Sequence, residues 1–320
     1  MPGGKLQKDT EIPDSLGGMS SSRSMLVVVH PNRHDVQDAV KVVFSKLADD
    51  GVLAVVTGDQ KYLQEFSPQP LRVLGVDHDS SDIELGIVLG GDGTILRAAE
   101  ILRGYAAPLL GVNHGHVGFL AESEKTDLED TVARALDRKY SVEERMALTV
   151  RVTTNAGVVY DGWALNEASI EKAAPQKMIE VAIGIDDEPL STFGCDGVVV
   201  ATPTGSTAYS FSAGGPIVWP GVEALLMVPL AAHALFQRPL VTGPDSVLSI
   251  VLLERSRADG MLSCDGRRSF RLEPGMRVEV SKSDTPIRLA RLAPGPFTSR
   301  LVRKFSLPVE GWRKQEAAGQ

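Results

Sequence analysis

Four stretches of this chain hold side chains of the kinds that do chemistry. The first is Gly90-Gly91-Asp92-Gly93-Thr94, a single carboxylate among three glycines. Glycines leave backbone N–H groups uncovered, so a phosphate or a ribose can come close. Asp92 can accept a proton there, or it can simply fix the turn. The second is Asn166-Glu167, at the end of a strand-like run, and the third is Gly194-Cys195-Asp196-Gly197. The fourth is Thr202-Pro203-Thr204-Gly205-Ser206-Thr207-Ala208-Tyr209-Ser210-Phe211-Ser212, followed by Gly214-Gly215-Pro216. So many short donors and acceptors suit a polar ligand with several hydroxyls, such as a nucleotide. The same composition also describes a Ser/Thr turn leading into a helix.

The elements that must position these residues follow from periodicity. Ile83–Leu89 is an apolar run that reads as a buried strand, and Ile95–Leu102 has helical spacing. Thr94 is placed to cap that helix. A strand, a glycine turn and a helix start form a ligand site in open parallel sheets, which bind outside the carboxyl ends of their strands. Before this unit, residues 1–24 read as a disordered polar tail. Met25–Val29 and Val52–Val56 read as strands, with a helix over 35–48 closed by Gly51. After it, Pro108–Val112 predicts a strand running into Asn113–Leu120. The glycines at 111, 115 and 118 do not form G-x-G-x-x-G. They fit either a closely packed turn or a ligand-facing loop. His114 and His116 lack the partners of a metal site. A helix over 126–139 with Thr126 as its cap completes an α/β domain with a parallel sheet, residues 25–145.

Near residue 145 the texture changes to short alternating strands and turn pairs. Residues 146–288 therefore predict a mostly β, sandwich-like C-terminal domain, with turns of helix only around 222–226 and 229–236. Beyond Pro308 the tail, 308–320, reads as loose. The formal net charge of -8 and pI near 5.4 argue against nucleic-acid binding. Two cysteines without metal spacing, Cys195 and Cys264, fit a reducing, cytoplasmic setting and a bystander role. No apolar run approaches the ~20 residues of a membrane span, and the N-terminus lacks a signal-peptide core.

Gly90-Gly91-Asp92-Gly93-Thr94, then Asn166-Glu167, then Thr202–Tyr209 in that order resemble bacterial NAD kinases, from about Met25 to about Phe305. The glycine motif alone also occurs in lipid kinases and phosphofructokinases; the other two make the likeness specific. The resemblance implies an NAD kinase-like two-domain fold, with NAD in the cleft and a C-terminal segment, 289–307, returning to the first domain. It implies phosphorylation of the adenosine ribose 2′-hydroxyl of NAD to give NADP, with Mg2+ on an ATP or polyphosphate donor. It also implies a homodimer or homotetramer. Asp92 falls at the family's catalytic aspartate. Carried over position by position, the NAD contacts are Asp92, Gly93, Arg97, Asn166, Glu167, Lys177, Asp196, Thr207, Ala208, Tyr209, Ser210, Phe211 and Ser212. Two other readings compete: a lipid or sugar kinase built on the same turn, and an NAD-binding regulatory or redox protein.

Overall fold

A computed structural model of the chain describes residues 23–30, 36–113, 118–121, 123–124, 128–234, 237–292 and 295–309. His114, Gly115, His116, the Thr126 cap and most of both expected tails lie outside the described residues. Arg23 and Ser24, expected in the N-terminal tail, belong to the first lobe instead. Ser24 opens the first strand, and the Arg23 guanidinium donates to Glu84 at 2.8 Å.

The first sheet contains β1 (Ser24–Val29), β2 (Leu53–Val56), β3 (Arg72–Val73), β4 (Leu85–Leu89), β5 (Leu109–Asn113), β6 (Ser123–Glu124) and β7 (Ser141–Arg145). Its helices are α1 (Gln37–Asp49), α2 (Asp92–Leu102) and α3 (Leu128–Leu136). All residues of β1 and β4 are buried. Such unbroken apolar runs suit strands covered on both faces. Helices α1 and α3 cover one face around Phe44, Leu47 and Val132. Helix α2 covers the other through Ile95, Leu96, Ala98, Ala99 and Leu102.

The second lobe carries β8 (Leu148–Thr154), β9 (Gly157–Ala164), β10 (Glu167–Lys172), β11 (Ile179–Ile185), β12 (Glu188–Cys195), β13 (Gly197–Ala201) and a short α4 (Tyr209–Ser212). These are followed by β14 (Leu225–Leu230), β15 (Leu240–Thr242), β16 (Leu248–Leu252), β17 (Gly260–Cys264), β18 (Arg268–Leu272) and β19 (Arg277–Lys282). Two antiparallel sheets result, ordered β15-β14-β13-β10-β17-β18 and β12-β11-β16-β19-β8-β9. Their inner faces share one core that includes Leu148, Val150, Ile170, Val181, Val200, Leu225, Ile250 and Val280. The helical turns expected near 222–236 are replaced by β14. Leu225–Val228 are buried and pair with β13, and a short apolar run of this kind does not separate helix from strand by periodicity.

The chain then returns. β20 (Ile287–Arg291) joins the first sheet between β5 and β7, and α5 (Phe297–Phe305) follows. The sheet order is β3-β2-β1-β4-β5-β20-β7, with β6 beside β5. It is not wholly parallel, because β7 runs antiparallel to β20. From β1 the chain moves outward through β2 and β3 on one side, and through β4 and β5 on the other. The strand order thus reverses between β1 and β4, where open α/β sheets form their ligand crevice. Among the described residues, no helix is long and apolar enough to cross a membrane.

Helix α2 is also the joint between the lobes. Leu165, from the second lobe, packs in the same apolar cluster as Ile95, Leu96 and Leu120. At the far end of α2, Glu100 pairs with Arg267 at 3.0 Å and Arg268 at 3.1 Å. Arg103 and Arg268 flank the Trp163 ring at 4.3 and 4.1 Å, and Arg103 donates to Ser283 at 2.9 Å.

Candidate active site

Strand β4 ends at Leu89, and the glycine turn lies at the switch point. Helix α2 begins three residues earlier than its apolar spacing suggested. Gly91 is the N-cap residue, accepting from the Thr94 and Ile95 N–H groups at 2.9 and 3.2 Å. Thr94 is therefore not the cap; its hydroxyl is buried inside the first turn, where a Cβ on Gly90 would lie 2.4 Å from it. A Cβ on Gly91 or Gly93 would meet nothing within 4 Å. The turn is thus packed on the Gly90 side and open over the next two glycines.

Asp92, the first residue of α2, is half-buried. Its two oxygens accept the backbone N–H groups of Phe119 and Leu120, each at 3.1 Å. These bonds tie the start of α2 to the segment after β5. Gly118 is what lets the segment approach, since a Cβ there would lie 2.4 Å from Asp92 Oδ1. Of the two sequence readings for this glycine, close packing is the one realised, and the neighbour is the candidate catalytic side chain. Sequence reasoning did not find Phe119 and Leu120 as its partners. The glycine at 118 was the one signal for them. Arg97, further along α2, pairs with the Asp59 carboxylate. The Thr57 hydroxyl and then Arg97 hold Asp59 below the usual carboxylate range.

In the second lobe, Asn166-Glu167 opens β10. Asp265, in left-handed backbone after β17, braces this corner. Its carboxylate accepts the Leu165 and Asn166 N–H groups at 2.9 and 2.7 Å and pairs with Arg268 at 2.8 Å. The Thr202 N–H and hydroxyl donate to the Asn166 and Leu165 carbonyls at 2.9 and 2.6 Å. Gly205 presses so closely that a Cβ would sit 2.0 Å from the Asn166 carbonyl oxygen. The Asn166 backbone is thereby locked, while its carboxamide makes no hydrogen bond among the described residues.

Glu167 is buried, and one of its oxygens lacks a partner. Burial, and then the charge of Asp265, push its carboxyl up to about 7; a backbone bond from Tyr209 opposes this weakly. Burial raises Asp265 as well, but two backbone amides and Arg268 pull against it. Both acids are thus raised above the ordinary carboxylate range, and Glu167, with one oxygen unpartnered, is the less compensated of the two. Perturbed acids of this kind are common at functional sites.

The hydroxyl-rich stretch uses several of its hydroxyls internally. Ser206 donates to the Pro203 carbonyl at 2.6 Å and accepts from the Val218 N–H at 3.0 Å. Ser210 is fully buried against Gly215: its carbonyl accepts the Gly215 N–H at 2.8 Å, while its hydroxyl has no hydrogen-bond partner among the described residues. Thr207 and Ala208 are half-buried, and Tyr209, Phe211 and Ser212 are exposed. Tyr209 lies along β10, from its backbone bond at Glu167 to a hydroxyl bond with Glu171 at 3.1 Å. Next along, Asp196 pairs with Lys172 at 2.6 Å. Phe211 stacks on Phe305 of α5, ring centroids 4.6 Å apart; Phe305 in turn contacts Phe119, 5.9 Å away. Lys177 donates to the Arg257 carbonyl at 3.3 Å. Cys195 and Cys264 are buried, and burial pushes their thiols up to about 12 and about 11.

The stretches named from the sequence thus converge: Asp92 is held by Leu120, Leu120 packs with Leu165, and Leu165 leads into Asn166-Glu167 and the 202–212 turn. Comparison with known proteins agrees with that arrangement. Residues 25–140 match the ATP-NAD kinase N-terminal domain, and 165–292 match the ATP-NAD kinase C-terminal domain. The NAD kinase of Leifsonia xyli is 58% identical over 298 residues, covering 92% of this chain and 98% of that protein. NAD kinase 2 of Streptomyces coelicolor is 59% identical over 256 residues, covering 80% and 82%. Among solved structures, yeast NADH kinase complexed with NADH shares the fold at TM-score 0.79 and 24% identity, covering 91% of this chain and 89% of that one. An NAD kinase from Archaeoglobus fulgidus in complex with ATP matches at TM-score 0.67 and 26% identity, covering 89% and 100%. With both domain families matched in order across the two lobes that meet at Asp92, this chain belongs to the NAD kinase family, whose members make NADP from NAD.

Proposed function

We propose that the NAD kinase activity of this chain runs through Asp92. Its carboxylate takes the proton of the adenosine ribose 2′-hydroxyl of NAD as that oxygen attacks the terminal phosphorus of the donor. One O–P bond forms, the bond to the bridging oxygen breaks, and the shortened phosphate chain leaves with the electron pair. The observation that carries this reading is the seat of Asp92. It lies at the switch-point crevice, each oxygen fixed by one N–H, beside glycines with open space above them. A carboxylate has about four acceptor positions, so two backbone bonds leave room for a hydroxyl.

Phosphoryl transfer leaves the protein mainly positioning and charge neutralisation to do. The amides of the glycine turn supply part of that charge. Arg97 supplies more once it exchanges Asp59 for a phosphate oxygen. Asn166, Thr207, Ala208, Tyr209 and Ser212 hold the adenosine portion, with Gly93, Lys177, Asp196 and Phe211 along the rest of NAD. Glu167, with its carboxyl pushed up to about 7, can donate to the ligand when protonated and accept from it when ionised.

Mg2+ belongs to the same reading. Among the described residues no group of three or more His, Cys, Asp or Glu side chains could hold a metal. In this reading the ion is carried by the donor phosphates themselves. When bound, it neutralises charge on the phosphates. ATP as donor is supported by the Archaeoglobus fulgidus complex; inorganic polyphosphate is the second donor. A homodimeric or tetrameric assembly completes the proposal, together with a reducing, cytoplasmic setting, which two free buried thiols favour.

Purified protein incubated with NAD, ATP and Mg2+ should form NADP. General-base help is worth about 10²- to 10⁴-fold, so Asp92→Asn should lower turnover at least a hundredfold with an unchanged melting profile. Turnover close to that of the parent would remove Asp92 from the chemistry.

A further inference from the structure

The segment that holds Asp92 is itself held by the returning C-terminal chain. Arg300 of α5 donates to the Phe119 carbonyl at 2.9 Å, and Arg291 of β20 to the Leu120 carbonyl at 3.0 Å. The N–H groups of the same two residues donate to Asp92. The Phe119 carbonyl and the Leu120 N–H belong to one planar peptide group, and in its trans form they point to opposite edges of the plane. Arg300 and Asp92 Oδ1 therefore sit at the two ends of a single rigid unit, a cation at the carbonyl end and a carboxylate at the N–H end. The carbonyl cannot turn without turning the N–H that holds Asp92. Hydrogen bonds in series also polarise one another, by about 10–30% per bond. A guanidinium on the carbonyl thus makes the Leu120 N–H a stronger donor to an ionised acid.

Helix α5 grips this segment in a second way. The Phe119 ring lies 5.8 Å from Phe297 and 5.9 Å from Phe305, centroid to centroid. Those contacts act on the side chain, whereas the guanidinium acts on the peptide. Arg291 is the less informative of the two cations. It shares Glu143 with Arg145, at 2.5 and 3.0 Å, and both arginines are buried. Removing one partner of a buried ion pair is strongly destabilising. With Arg300, these two line a cavity of about 380 Å³ between β7, the 219–221 loop, β20 and α5. Arg300 is only half-buried, and replacing it leaves the pairs on Glu143 in place.

We propose that Arg300 is a positioning residue for Asp92, acting on its carboxylate through the Phe119–Leu120 peptide group. Its consequence for turnover rests on the reading of Asp92 as the proton acceptor. The orientation of the carboxylate does not.

Two variants separate this role from a merely structural one. Arg300→Met keeps the stem and loses the charge and the donors; Arg300→Lys keeps a charge and a donor. The Leu120 amide proton, followed by NMR of 15N-leucine-labelled protein, reports the bond to Asp92 whatever Asp92 does in the chemistry. It should move upfield in Arg300→Met and return towards the parent position in Arg300→Lys. A misplaced reacting group costs up to roughly 10²-fold, so kcat should fall about tenfold in Arg300→Met and recover to within threefold of the parent in Arg300→Lys. NAD affinity by calorimetry should stay within twofold, with an unchanged thermal melt. On an Asp92→Asn background, Arg300→Met should cost nothing further. If Asp92→Asn alone turns over like the parent, the reading of Asp92 falls, and the Leu120 amide by itself decides the role of Arg300. An unmoved Leu120 amide overturns the proposal. So does any of three kinetic results where Asp92→Asn is impaired: kcat within twofold of the parent in Arg300→Met, a fall in NAD affinity as large as that in kcat, or a loss that Arg300→Lys shares in full.

Discussion

Gly118→Ala is the sharpest probe of the geometry around Asp92. The added Cβ would lie 2.4 Å from Asp92 Oδ1 and 3.0 Å from its Cγ. Cβ contacts under 3.0 Å are essentially never seen, so the carboxylate and the 118–120 segment must part by about 0.6 Å or more. The N–H bonds from Phe119 and Leu120, already 3.1 Å long, stretch or break as they do so. A misplacement of about 1 Å can cost roughly 10²-fold in rate, so a fall in kcat of about 10- to 100-fold is expected. The clash is with a side chain end rather than backbone, so the fold should survive. Steady-state NADP formation measures the loss, calorimetry the NAD affinity, and a thermal melt the fold. A double variant with Asp92→Asn tests the route of the effect. If Gly118 acts only through Asp92, the double variant should turn over no more slowly than Asp92→Asn alone. A kcat within threefold of the parent in Gly118→Ala would refute the reasoning. So would a double variant that loses the product of the two single effects.

Two further outcomes follow from the second lobe. Glu167 is pushed up to about 7 from an ordinary value of 4.5, so its contribution to stability is full below about 4.5 and is lost as pH rises through about 7. Relative to the parent, Glu167→Gln should therefore be more stable at pH 8 than at pH 5 by about 2–3 kcal/mol. Denaturant unfolding at the two pH values reads this, and an equal gap at both would contradict the burial of the charge. Asn166→Ala removes a carboxamide that makes no hydrogen bond among the described residues, so stability should hold while NAD affinity falls about two- to tenfold. Unchanged affinity by calorimetry would take the side chain out of the NAD site.

Much of this molecule could be read along the chain because its signals are local. Met25–Val29 and Leu85–Leu89 are apolar without a break, and a strand buried on both faces needs no more than that. The glycine turn announces itself by composition, and the Asn166-Glu167 and 202–212 stretches by their order. Short-range physics misled where one pattern serves two structures. Leu225–Leu230 is equally apolar as a helix turn or as a strand, and only its pairing with β13 decided the matter. Thr94 has the chemistry of a cap, but the helix starts at Asp92 and leaves it inside the first turn.

What the sequence determined by itself was which stretches have the chemistry to hold a phosphate and a ribose, because glycine turns, hydroxyl runs and lone carboxylates carry that chemistry wherever they fold. Only the tertiary structure decided what surrounds them. The Phe119 and Leu120 amides on Asp92, the charge of Asp265 beside buried Glu167, and the gathering of Arg145, Arg291 and Arg300 join residues separated by 27 to more than 150 positions. No local pattern encodes such contacts. They exist because β20 returns to the first sheet and α2 is packed between the two lobes.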